Sequence, residues 1–123
     1  MFVIFDSTSF DIIRFLFITK DQKKEYLVTA KNREMLEHFS LALSKENKSL
    51  DDITGIAVLV AKGSFTSTRI AVTIANTLHY AKKIPVMGVL DCNDVSFDDL
   101  DTKFKQSKDT YLHPIYSGEP NIN

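Results

Sequence analysis

An apolar run, Ile56-Ala57-Val58-Leu59-Val60-Ala61, passes through Lys62-Gly63-Ser64 into a helix-like stretch beginning Phe65-Thr66-Ser67-Thr68-Arg69-Ile70, and this passage constrains the fold more than any other part of the chain. A buried strand, a tight turn and a helix N-terminus have to meet there. Gly63 can take the positive φ that such a turn uses, and the hydroxyl of Ser64 or Thr66 can cap the orphan N–H groups of the helix. A helix start exposes N–H groups and the positive end of its dipole, which suits an anion. The stretch nevertheless carries one glycine and no GK[ST], so it is neither a Walker loop nor a dinucleotide fingerprint. It reads as a capped strand-to-helix turn, with a phosphate cradle as the alternative.

The rest of the chain fits a mixed sheet with helices packed on it. Residues 2 to 5 and 11 to 18 are apolar runs separated by a Ser/Thr turn that includes Asp6, Ser7 and Thr8, and they predict a hairpin of buried strands. Asp21-Gln22-Lys23 supplies the next turn, and residues 25 to 29 a third strand whose polar flanks suit a sheet edge. Met35, Leu36, Phe39, Ala42 and Leu43 recur at helical spacing within 31 to 45. Ser49 to Ile53 predicts one capped turn before a fourth strand at 56 to 61. A second helix from about Ser64 to Lys83 and a fifth strand from Pro85 to Leu90 follow. The expected division is an α/β domain at 1–92, then an acidic loop or short helix near Phe97 to Lys105 and an extended tail, together 93–123.

With 123 residues, 44% of them hydrophobic, the chain has enough apolar mass for one self-sufficient core and no room for a second full domain. Its 15 basic and 16 acidic residues give a formal net charge of −1, which argues against direct nucleic-acid binding. The single Cys92 excludes an intrachain disulfide, and the chain shows neither a signal peptide nor an apolar run of membrane-spanning length. A cytoplasmic protein with no membrane association is expected. His38, His79 and His113 are scattered over the first helix, the second helix and the tail with no HExxH or His-x-His spacing, so no metal site is expected. Ser64 lies outside any G-x-S-x-G elbow and is expected to cap its helix rather than act as a nucleophile.

The second helix bears on partners. Ile70, Val72, Ile74, Ala75, Leu78 and Ala81 point in more directions than one sheet face can cover, and Ser67, Ala71 and Ala75 recur every four residues as a small-residue ridge. A ridge of this kind lets another helix approach closely; the alternative is a helix buried only by its own domain's first helix and sheet. On the first expectation Ala71→Glu blocks pairing and spares the fold, whereas Ile70→Glu unfolds it.

The same residues carry a resemblance. Gly63-Ser64-Phe65-Thr66 followed by Arg69-Ile70, with Ile84-Pro85-Val86-Met87-Gly88-Val89 downstream and Phe2-Val3-Ile4-Phe5-Asp6-Ser7-Thr8 at the start, is similar to the TsaB (YeaZ) family over roughly residues 2 to 90. Ala61, Lys62, Ser67 and Ala71 stand where that family usually writes other residues, mostly glycine. The resemblance implies the ribonuclease-H-like half of the actin and Hsp70 ATPase architecture. It also implies a non-catalytic subunit in the bacterial machinery that makes N6-threonylcarbamoyladenosine (t6A) in tRNA. Such a subunit is no enzyme itself and needs no cofactor. It pairs through its first two helices with a TsaD-like catalytic subunit, works beside a TsaE-like ATPase, and homodimerises when alone. Carried over to this chain, the interface is Glu34, Met35, His38, Ser67, Ala71 and Ala75. Asp6, Ser7, Thr8 and Gly63 become a vestigial nucleotide turn. The tail from Thr110 is similar to the closing Tyr/Pro segment of the same family. The competing expectations are a small ATP-binding domain of the actin-like superfamily and a decayed homodimeric paralogue.

Overall fold

The computed structural model describes residues 1–9, 11–31, 34–60, 65–90 and 95–106, excepting the side chains at 9 and 65–67; Gly63, the turn around it, and the tail lie outside the described residues. Five strands, β1 (Phe2–Ser9), β2 (Ile12–Ile18), β3 (Lys23–Thr29), β4 (Gly55–Leu59) and β5 (Val86–Val89), form one sheet in the order β3-β2-β1-β4-β5. β1, β2 and β3 form an antiparallel meander, and β4 and β5 add in parallel beyond β1. Among the described residues three α-helices cover the sheet: α1 (Met35–Lys45), α2 (Phe65–Lys82) and α3 (Phe97–Gln106).

The alternation of side chains along each strand sorts the core into two layers. Val3, Phe5, Ile13, Phe15, Phe17, Ile56, Val58 and Val86 meet α1 and α2 on the first face. Phe39 of α1 is the centre of that layer, with its ring 4.9 Å from Phe5 and 5.5 Å from Phe15, the Phe5 contact edge-on. On the second face Phe2, Ile4, Leu16, Ile18, Ala57 and Val89 pack with Leu100 of α3 and the half-buried Phe97 and Phe104. The central strands β1 and β4 are buried on both sides, which is why their sequences read as unbroken apolar runs.

Local chemistry places the ends of these elements. α1 stops where Asn47 takes φ 55°, with Lys48 N donating to Leu43 O and Asn47 N to Ser44 O, a Schellman closure built on asparagine. Ser49 and Asp52 cap each other reciprocally around the 3-10 turn at Leu50–Asp52, as the sequence predicts. α3 starts on a similar pair, Asp99 N donating to Ser96 Oγ at 3.1 Å and Ser96 N to Asp99 Oδ2 at 3.4 Å.

Four expectations need correction. β1 continues through Asp6, Ser7 and Thr8 to Ser9 with a register shift between Asp6 and Ser9, so the Asp-Ser-Thr segment is the bulged end of a strand and not a loop. Leu36 is exposed although it falls at helical spacing with the core positions of α1. Ala81 is exposed as well, so the buried stripe of α2 is narrower than its composition suggests. Finally, α3 packs on the same sheet as everything before it, and Leu100 is fully buried there. The fold therefore runs past residue 92.

Candidate functional site

The bulged end of β1 brings together the polar groups that the sequence marks as a nucleotide turn. The carboxylate of Asp6 turns back on its own strand: Oδ1 accepts from Thr8 N at 3.0 Å and from Thr8 Oγ1 at 2.6 Å. Its other oxygen lies 3.1 Å from Nε of Arg14, the residue directly opposite on β2, and Arg14 in turn reaches Glu25 Oε2 of β3 at 3.0 Å. Thr8, Asp6, Arg14 and Glu25 thus form a continuous polar chain across three strands. Ser7 points to the opposite side of the strand and is buried.

This arrangement decides what Asp6 can do. Both oxygens are already engaged, one by two donors from Thr8 and one by a guanidinium held on its far side by a second carboxylate. A divalent cation at Asp6 would have to displace a charged partner that the β1–β2 register puts in place. Among the described residues no three histidine, cysteine, aspartate or glutamate side chains come together to hold a metal. His79 is occupied at the end of α2, its Nδ1 2.8 Å from Ile84 O, and His38 is half-buried on α1. His113 and Cys92 lie outside the described residues. The Asp6 cluster ties the end of β1 to the hairpin.

The expected helix interface is only partly at the surface. Met35, Ala71 and Ala75 are each 0% exposed and belong to the first-face core, so these three positions are corrected to core. The cause is close approach: a helix comes nearest the sheet where its side chains are smallest, and the ridge that could admit another helix admits the sheet of its own chain. Glu34 is half-buried and its carboxylate accepts from Lys31 N at 3.1 Å, closing the turn into α1. Ser67 lies among the side chains outside the description. What the two helices leave at the surface is apolar in places: Leu36 is 51% exposed, Leu41 52% and Tyr80 71%, with Ile70 half-buried. Arg14 and Glu25 were the residues sequence reading missed. Their signal is the hairpin register, which pairs Asp6 with Arg14 once the turn at Asp11 is fixed.

Near Glu46, at the end of α1, a second polar cluster ties the helix to β3. Tyr26 Oη donates to Glu46, and Lys24 Nζ lies 2.8 Å from the same carboxylate. The Lys24 ammonium, and after it the Tyr26 hydroxyl, hold the Glu46 carboxyl below its usual range, and the shared carboxylate raises both Lys24 and Tyr26.

Comparison with known proteins places these features in a family context. The family model described as TsaD, tRNA N6-adenosine threonylcarbamoyltransferase, matches residues 29–103. Among solved structures, YeaZ from Pseudomonas aeruginosa aligns with a TM-score of 0.65 at 19% identity, covering 73% of this chain and 43% of that one. A second P. aeruginosa structure, of an uncharacterised protein with similarity to peptidase YeaZ, aligns with the same values. The chain thus spans less than half the length of the solved structures it matches. No curated protein matches it. The likeness establishes the fold as ribonuclease-H-like, of the actin and Hsp70 ATPase type.

Proposed function

Because the chain belongs to the TsaD, tRNA N6-adenosine threonylcarbamoyltransferase, family, we propose that it serves t6A formation as a non-catalytic subunit docking a TsaD-like partner. The observation that carries this reading is the closed state of Asp6, whose carboxylate is taken by Thr8 and Arg14 and so is not offered to a metal ion. An ATP-hydrolysing member of this architecture needs an acidic group free to hold Mg²⁺ and donors free to cradle the phosphates. A scaffold needs neither, only a surface.

That surface is the outer side of the two long helices. Leu36 and Leu41 on α1, and Tyr80 with the edge of Ile70 on α2, are apolar groups facing solvent on elements whose inner sides are fully committed to the sheet. A TsaD-like subunit would bind nucleotide, metal and tRNA, with a TsaE-like ATPase as a further component. This chain, at a net charge of −1, would contribute geometry and not tRNA contacts.

Co-expression with a TsaD-like subunit from the same genome tests the proposal. The wild-type chain should co-purify with it, and Leu36→Glu with Leu41→Glu should abolish co-purification while leaving the far-UV circular dichroism unchanged. Sub-millimolar Mg-ATP binding by the isolated chain, lost in Asp6→Ala, would instead establish the small ATP-binding domain.

A further inference from the structure

We draw no further inference here: the strongest candidate, the cleft between the β2–β3 turn at Thr19–Gln22 and the start of α3 at Phe97, is lined by exposed side chains of both charges, Lys20 and Lys23 with Asp21 and Asp98, and nothing in the structure shows what occupies it.

Discussion

The two faces of the sheet are built to different standards. The first is sealed by two helices over a continuous layer that includes Phe5, Phe15, Phe39, Ala71 and Ala75, all at 1% exposure or less. Among the described residues the second is closed by the ten-residue α3, which covers Phe2, Ile4, Leu16 and Ala57, while the end carrying Asp6, Arg14, Glu25, Ile12 and Leu27 holds ion pairs and exposed side chains. The difference teaches where stability and interaction reside. The sealed face fixes the fold, and its helices present only their outer sides to partners. The half-open face has polar contacts in place of a core.

The largest expected effect tests how completely the first face is sealed. Ala71→Glu would bury a carboxylate with no partner and should leave the chain unfolded or destabilised by more than about 4 kcal/mol. Ile70→Glu, on the half-buried side of α2, should cost about 1 kcal/mol or less. This is the reverse of the order expected from the sequence, and urea denaturation of the two variants decides between them. An Ala71→Glu protein as stable as Ile70→Glu would mean that α2 is rotated from the orientation described.

Leu100→Ala should come next, at roughly 2–4 kcal/mol by equilibrium unfolding, since it hollows the centre of the second-face core. Its distinguishing mark is regional. Hydrogen-exchange protection should fall in α3 while α1 and β2 stay protected, and a uniform loss would show the two faces to be one cooperative layer.

A smaller effect is expected at Gly55, where an added Cβ would sit 2.8–2.9 Å from the ring atoms of Phe104. Gly55→Ala should destabilise by about 1–2 kcal/mol by forcing that ring off its stack with Phe2, now 5.3 Å away. Pairing it with Phe104→Leu should relieve most of the loss. Absence of relief would place the strain elsewhere.

The smallest effect concerns the cluster that ties β3 to α1. Lys24 and Tyr26 hold the Glu46 carboxyl below its ordinary value of 4.5, so the stability it contributes is present above that value and is lost as the pH falls through the lowered one. Glu46→Gln should therefore be less stable than wild type at pH 7, and the gap should narrow on acidification below about pH 4. Thermal midpoints measured from pH 7 down to pH 3 would show it, and a gap that widens at low pH would remove the cluster from the account.

Local signals carried much of the fold. The Ser49–Asp52 cap, the helix that follows β4 and the short helix allowed near Phe97 to Lys105 depend on residues close together in the chain, and each of these elements stands within a few residues of where the sequence puts it. The edge position of β3 was legible for the same reason, from its charged flank. The candidate site was less legible. Asp6 could be singled out, but its engagement by Arg14 depends on which residue of β2 stands opposite, and that is fixed by hairpin register.

The sequence by itself determined which elements form, in what order, and which residues are chemically able to bear a charge or close a turn, because propensity, capping and periodicity act over a few residues. Only the tertiary structure decided which side of α2 meets the sheet, that Asp6 is spent on Arg14, and that α3 is a layer of the core. Each of those outcomes depends on distances between segments far apart in the chain, where close packing of small residues and cross-strand pairing choose among arrangements that local preferences leave equal.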